Sequence, residues 1–398
     1  MRISGPVRIA LVYDCLYPAT VGGAERWLRA VAEVLAEENH VAYVTRRQWR
    51  RGERPIAAVK CVAVAPGWPI YSREGRRRAL PPVMFGIGTF MHFLLRRRKY
   101  DIVHCLSYPF FSLLAVRVAL AGSGTRVMCE WLECLTDEYW RTLGGLAGRA
   151  GPPLQRLCLR LTREALVFSD HTARRMREEG FDGPLYKLGG LAPRLATADL
   201  SAGGSRVPLV VFAGRHVPDK RVMVLPEAIA VARRQVADLT AVIVGDGPQR
   251  ADVLRRIDEL ELGDAVSAPG FVPEGEVETL FRRAACVVAP SLRDGYGMAV
   301  AEAAAFGAPV VVCPSPDNAA VDRVVEGVNG TVAASPDPKD IGEAIVRAVQ
   351  QGPQLRERVR QWFSSHSDEF VMTNTIERLC SLYSEDRAGV GAASSRAR

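Results

Sequence analysis

The chain of 398 residues is 48% hydrophobic and 24% charged, the composition of a soluble globular protein, and is too long for one ordinary core, so two domains are expected. Its net charge of +8 is uneven: residues 1–200 carry 30 Lys and Arg against 18 Asp and Glu, while residues 201–398 carry 22 against 26, which points to an anionic partner for the first half. Nine scattered cysteines with no C-x-x-C pair argue against a disulfide framework or a zinc site and for buried free thiols in a reducing, cytoplasmic setting; the N-terminus shows no signal-peptide apolar core.

The first half alternates strand and helix patterns. Val7–Tyr13 reads as a continuous apolar strand, Ala24–Glu37 as a helix with Trp27, Leu28, Val31, Val34 and Leu35 on one face, and Val41–Thr45 as a second strand. An uncharged stretch, Ala79–Leu95, is bracketed by Arg76-Arg77-Arg78 and Arg96-Arg97-Arg98-Lys99. It is shorter than the roughly 20 apolar residues of a spanning helix and contains Pro81, Pro82, Gly86 and Gly88, which excludes a transmembrane segment. A helix lying on an anionic membrane and an ordinary helix with basic ends are both open readings.

Ile102–Cys105 then reads as a strand, Phe110–Ala121 as a helix, and Arg126–Glu130 and Leu166–Phe168 as strands with helices between them. This βαβ series predicts a mostly parallel, doubly wound α/β sheet over residues 1–199. Leu200–Ser205 has linker composition, and the pattern restarts over residues 206–364. Here Leu209–Ala213, Thr240–Val244, Cys286–Ala289 and Pro309–Cys313 are expected strands, and Val222–Arg234, Arg250–Leu260, Met298–Phe306 and Asp340–Gln350 expected helices. Residues 385–398 are rich in Ala, Ser, Gly and Arg and are expected to be disordered.

Ligands of such sheets bind at the carboxyl ends of strands, so the loops that follow strands are the candidates for chemistry. Gly22 and Gly23 open the first helix, where bare backbone admits a phosphate or sugar, although the spacing does not fit G-x-G-x-x-G. Arg215 and Lys220 are two cations on the loop after Leu209–Ala213, suited to neutralising a diphosphate; taken alone they equally describe solvated surface charge. Gly245, in Gly-Asp-Gly-Pro, and Gly270-Phe271-Val272 are turns that could lie beside a nucleobase. Asp294-Gly295-Tyr296-Gly297-Met298 sets an acid before a glycine turn and a helix start, with Glu302 further along that helix, where it could accept hydrogen bonds from vicinal hydroxyls. His104, at the apparent end of a strand, is expected to face the ligand side, as are Tyr13 and Asp14; the alternative for His104 is a core residue bonded to a neighbouring strand.

As a set, Gly-Gly-Ala-Glu-Arg at 22–26, Asp-Ile-Val-His at 101–104, Gly214-Arg215 with Lys220, Gly-Asp-Gly-Pro at 245–248, the acid-x7-Glu pattern at 294–302 and Val328-Asn329-Gly330 resemble the retaining glycosyltransferases of family 4, over about residues 7–384. The resemblance implies the GT-B fold: two facing Rossmann-like domains with a cleft between them and a last helix, here 365–384, that returns to the first domain. It implies a nucleotide-diphosphate-sugar donor as co-substrate, a hydroxyl acceptor (glycan, lipid-linked or small-molecule), and neither a cofactor nor a metal. Arg215 and Lys220 would bind the diphosphate, Glu302 the ribose, and Asp294 the transferred sugar with help from the backbone of Gly295–Met298, while Gly22 and Gly23 would close over phosphate. Two positions depart from the family pattern. Asp294 stands where Glu is usual, about 1.5 Å shorter, and Asp317-Asn318-Ala319-Ala320 replaces a Gly-Gly-x-x-Glu stretch. The departure at Asp294 keeps open a nucleotide-sugar-binding protein with impaired catalysis. An NAD(P)-dependent oxidoreductase lacks its glycine fingerprint here, and the basic residues lack the aromatic context of a nucleic-acid binder.

Overall fold

The structure, a computed structural model, describes residues 6–20, 22–70, 78–190 and 207–394, without side chains beyond residue 384. Its described residues form two compact units, one of residues 6–70, 78–190 and 372–394, the other of residues 207–371. The expected linker Leu200–Ser205 and the residues Arg76 and Arg77 lie outside the described residues.

In the first unit the strands are β1 (Arg8–Val12), β2 (His40–Arg46), β3 (Lys60–Ala65), β4 (Ile102–Leu106), β5 (Arg126–Trp131), β6 (Glu164–Val167) and β7 (Leu185–Lys187). They form one parallel sheet in the order β3-β2-β1-β4-β5-β6-β7, so the chain changes winding direction between β1 and β4. The helices are α1 (Gly23–Leu35), α2 (Leu80–Leu94), α3 (Phe110–Ala119), α4 (Asp137–Leu143), α5 (Gly145–Leu161) and α6 (Asp170–Glu178). The periodicity of α1 places Trp27, Leu28, Val31, Ala32 and Leu35 in the core. Val34, expected on that face, points outward instead, one position off the buried stripe.

The second unit holds β8 (Leu209–Ala213), β9 (Thr240–Val244), β10 (Val266–Gly270), β11 (Cys286–Ala289), β13 (Val310–Val312) and β15 (Gly330–Val332) in a parallel sheet ordered β10-β9-β8-β11-β13-β15. Its winding reverses between β8 and β11. The short strands β12 (Arg293–Asp294) and β14 (Asp317–Asn318) pair outside this sheet. Helices α7 (Leu225–Arg233), α8 (Arg250–Glu259), α9 (Glu274–Arg283), α10 (Met298–Ala305) and α11 (Pro338–Phe370) complete it. The continuous Val-rich apolar runs of β8, β11 and β13 match strands covered on both faces, whereas β10 carries Pro269 and stands at the sheet edge, where a missing N–H is tolerated.

Helix α11 kinks at Gly352, and the chain leaves helical geometry at Val371 before α12 (Met372–Ser394) packs onto the first unit. The return therefore begins at Met372 rather than at residue 365. Ile376, Leu379, Leu382 and Tyr383 are buried, Thr375 Oγ1 donates to the Gly190 carbonyl at 2.7 Å, and the Arg126 guanidinium donates to the Leu382 carbonyl at 2.6 Å. The helix runs through residues 386–394, most of the stretch expected to be disordered.

Candidate active site

The carboxyl-end loops of the second sheet are stitched to one another. After β8, Gly214 N–H donates to the Val244 carbonyl at 3.1 Å, and His216 N–H to the Asp246 carbonyl at 2.9 Å. After β9, Gly245 N–H donates to the Gly270 carbonyl at 2.9 Å. Gly245 adopts φ +126°, and a Cβ there would overlap the Gly214 carbonyl, so only glycine lets these two loops pass. Gly270 thus closes β10, with Phe271 exposed beyond it and Val272 buried. His216, which sequence reasoning passed over, is fully buried between these turns with neither ring nitrogen hydrogen-bonded, and burial pushes its pKa down.

A second set of bonds draws the loop after β8 toward the start of α10. Residues Pro218–Lys220 form a 3-10 turn that ends on Arg221 at φ 51°. Leu292 N–H donates to the Asp219 carbonyl at 2.8 Å, and Lys220 Nζ meets Asp294 Oδ2 at 2.6 Å. The other carboxylate oxygen of Asp294 accepts from Tyr296 N–H at 3.1 Å and Gly297 N–H at 2.6 Å. Gly297 takes φ +83° to open α10, so Asp294 closes the turn before the helix. Burial pushes the Asp294 carboxyl up, but Lys220 and the two amides outweigh it and hold the group below its ordinary value.

The shorter side chain at 294 therefore has a structural consequence. One methylene allows the carboxylate to fold back onto the amides two and three residues later. Asp294 is committed to Lys220 and to the turn, and two of the amides expected to help bind sugar, those of Tyr296 and Gly297, donate to it. The unusual 317–320 stretch supports the same place. Asn318 Nδ2 donates to the carbonyls of Ser291 (3.0 Å) and Cys313 (3.1 Å), and Ala319 N–H donates to the Asp294 carbonyl at 2.7 Å. Arg323 lies over the Tyr296 ring at 3.8 Å and donates to the Tyr296 carbonyl at 2.6 Å. Asn329 fixes the neighbouring loop, accepting from Val325 N–H and donating to the Arg323 carbonyl. Asn318 and Arg323 were absent from the sequence-based site because each bonds a backbone carbonyl 27 residues away, of Ser291 and of Tyr296, which no local pattern marks.

Arg215 is exposed on the same β8 loop, and among the described residues it has no ion-pair partner. Glu302 is half-buried in the second turn of α10. One unit thus carries two cations, a glycine turn entering a helix, and a carboxylate on that helix. Such a set can receive an anion and hold a polyol beside it.

In the first unit, Gly22 precedes α1 in extended geometry, and a Cβ there would run into the carboxylate of Glu25, which folds over the helix start. Asp14 is buried and accepts a bond from the Cys15 thiol at 3.4 Å, and Tyr13 N–H donates to the Val44 carbonyl. His104 corrects the expectation that it faces the ligand side. It is the third of five residues in β4, is fully buried, and uses both ring nitrogens, Nε2 on Glu130 Oε2 at 2.8 Å and Nδ1 on Tyr383 Oη at 2.6 Å. Glu130 Oε2 also accepts from Trp27 Nε1 at 3.0 Å. His104 is a core tie between β4, β5, α1 and α12. The strand continues two residues past His104, to Leu106, which places the imidazole within the sheet rather than at its end.

Two family models match the chain in tandem, "Glycosyl transferase 4-like domain" over residues 22–186 and "Glycosyl transferases group 1" over residues 203–362. An alpha-D-kanosaminyltransferase from Streptomyces kanamyceticus is 30% identical over 39% of this chain and 39% of its own. A D-inositol 3-phosphate glycosyltransferase from Nocardia farcinica is 29% identical over 54% of this chain and 49% of its own. The chain thus spans half or less of these curated relatives. Among solved structures, the lipopolysaccharide outer core galactosyltransferase WaaB superposes with a TM-score of 0.71 at 14% identity over 95% of this chain and 99% of that one. Anabaena HepE in complex with UDP superposes with a TM-score of 0.70 at 16% identity over 95% and 100%. The chain has the GT-B fold, and its two parts match two glycosyltransferase family models in tandem.

Proposed function

We propose that the protein transfers a hexosyl group from a nucleotide-diphosphate sugar to a hydroxyl acceptor, with retention at the anomeric carbon and without a metal. The observation that carries the reading is the Lys220–Asp294 pair, which fixes a cation beside the glycine turn that opens α10, on the same loop as exposed Arg215. Arg215 and Lys220 bind the diphosphate, Glu302 accepts from the ribose hydroxyls, and the turns at Gly245 and at Gly270, Phe271 and Val272 line the base. Gly22 and Gly23, at the entry of α1, offer bare backbone to a phosphate. The bond from the anomeric carbon to the diphosphate oxygen breaks, the acceptor oxygen bonds to that carbon from the same face, and the acceptor proton passes to the departing diphosphate. The protein's share of the work is charge stabilisation at the leaving group. Asp294 acts as a positioning residue for Lys220 as well as a neighbour of the sugar. The tandem family models and the nucleotide complexes of HepE, with UDP and with UDP-glucose, support the donor class. All nine cysteines are free thiols, which supports a reducing, cytoplasmic setting.

A thermal-shift screen across UDP-, GDP- and ADP-sugars tests the donor. One nucleotide series is expected to stabilise the protein by about 2.7 kcal/mol at a hundred times its dissociation constant. A flat response to all three would overturn the reading. Transfer that persists in excess EDTA, with the product anomer read by NMR, tests metal independence and retention. The commitment of Asp294 to Lys220 favours one second reading, a nucleotide-sugar-binding protein without turnover. A large shift with no transfer or hydrolysis would select it.

A further inference from the structure

Helices α2 and α3 lie side by side on the first sheet. Gly86 brings α2 so close to α3 that a Cβ there would stand 2.7 Å from the Phe111 Cβ, and Gly88 packs against the Val64 carbonyl of β3. At the other end the Arg97 guanidinium donates to the Ala121 carbonyl, and Thr125 Oγ1 donates to the Arg97 carbonyl at 3.3 Å. This close seating buries Phe85, Thr89, His92 and Phe93. It leaves a second apolar stripe of α2 facing outward, with Ile87 54%, Met91 47% and Leu95 72% exposed. On α3, Phe111 and Val118 are exposed as well.

The stripe ends in Arg96, Arg97, Arg98 and Lys99, all exposed. From residue 79 to residue 129 the only carboxylate is Asp101, and it is paired with Arg8 at 2.7 Å. Outward-facing apolar side chains on both helices thus lie beside an exposed basic cluster that follows the end of α2. No helix among the described residues is long and apolar enough to cross a membrane.

We infer that the exposed face of α2 and α3 docks the protein on an anionic lipid surface, with Ile87, Met91 and Leu95 entering the headgroup boundary and Arg96, Arg98 and Lys99 meeting the headgroups. Apolar side chains alone would suit any partner. Four consecutive exposed cations at residues 96–99 select a partner that supplies negative charge, and a second copy of the same face would bring the same four cations instead. The two contributions are separable, because apolar entry scales with buried methylene groups while the charge contribution scales with anionic lipid and is weakened by salt.

Co-sedimentation of the full chain with vesicles of phosphatidylcholine, or of an equal mixture of phosphatidylcholine and phosphatidylglycerol, tests this without donor or acceptor, so its outcome is independent of the transferase reading. The wild-type chain is expected to sediment with the mixed vesicles and to be released by salt. A Arg96→Gln/Arg98→Gln/Lys99→Gln variant should weaken binding by about fivefold per charge, roughly a hundredfold in all. An Ile87→Gln/Leu95→Gln variant, which leaves every charge in place, should weaken it at least about tenfold. Unchanged thermal midpoints would show that both variants fold. Equal binding to both vesicle types, no binding to either, or variants that bind like wild type would overturn the inference. So would a concentration-dependent dimer abolished by Ile87→Gln/Leu95→Gln, which would give the face to a second copy of the chain.

Discussion

Asp294 shows how one methylene redistributes a site. Its carboxylate serves Lys220 and two loop amides at once, and its pKa is held below the ordinary value because these donors outweigh burial. The unfolded chain titrates near 3.8, so the carboxylate's contribution to stability is complete at neutral pH and is lost as pH falls below that value toward the folded-state pKa. Asp294→Asn is therefore expected to destabilise the protein by about 1–3 kcal/mol at pH 7, with a difference from wild type that shrinks below pH 3.8, as urea titrations at several pH values would show. A difference that stayed constant into acid would mean that the charge on Asp294 is not what holds the turn. For transfer, Lys220→Ala and Arg215→Ala should each lose about 2–4 kcal/mol of transition-state stabilisation at saturating donor. Arg215→Ala gives the cleaner measurement, because Lys220→Ala also strips Asp294 of its partner. The places of Arg215, Lys220, Asp294 and Glu302, on the loop after β8 and around the glycine entry of α10, were legible in the sequence from the apolar strands and the glycine turn beside them. What the sequence could not show was that Asp294 faces inward to its own turn, since that depends on a lysine 74 residues away.

At the scale of elements, the strands with continuous Val and Ile runs were legible, and the short or edge strands were not. β3, β7, β10 and β15 have three to six residues each, too few for a periodic pattern to stand out, and β10 contains Pro269. Their identity comes from pairing with a neighbour, not from local preference. The last helix was legible as an element, but its starting point was not, because the break at Val371 carries neither glycine nor proline. Its attachment is specific. Tyr383 is buried with its hydroxyl on His104 Nδ1, in a chain that continues through Glu130 to the indole of Trp27. Removing only that hydroxyl leaves the His104 nitrogen buried and unpartnered. Tyr383→Phe should cost about 1–3 kcal/mol and should speed amide exchange in α12 more than in β8 or β11. Uniform acceleration across both sheets would show that the tie is not local to α12.

At the scale of the whole molecule, each unit has its own sheet and its own buried core, so each can report ligand contact separately. Arg215, Lys220, Asp294 and Glu302 all belong to the second unit, and Gly22 and Gly23 to the first. A donor that met only the second unit would raise one calorimetric transition and leave the other in place. A donor that also reaches Gly22 and Gly23 must stabilise both, because a ligand stabilises whatever folded surface it touches. At a hundred times the dissociation constant, about 2.7 kcal/mol corresponds to a rise of roughly 5–10 °C for a unit of this size. Scanning calorimetry of the wild-type chain with donor is expected to move the second unit's transition, and a moving first-unit transition would assign phosphate contact to Gly22 and Gly23. Gly22→Ala sharpens the test, because the added methyl meets only the carboxylate end of Glu25, which can swing aside, so the unit still folds while its helix start is altered. In that variant the second unit's donor-induced rise should persist, and any rise of the first unit should be lost. A first-unit transition that does not move in the wild type would place the donor wholly on the loops around Lys220, and would leave the glycine pair at 22 and 23 with the entry of α1 as its whole purpose.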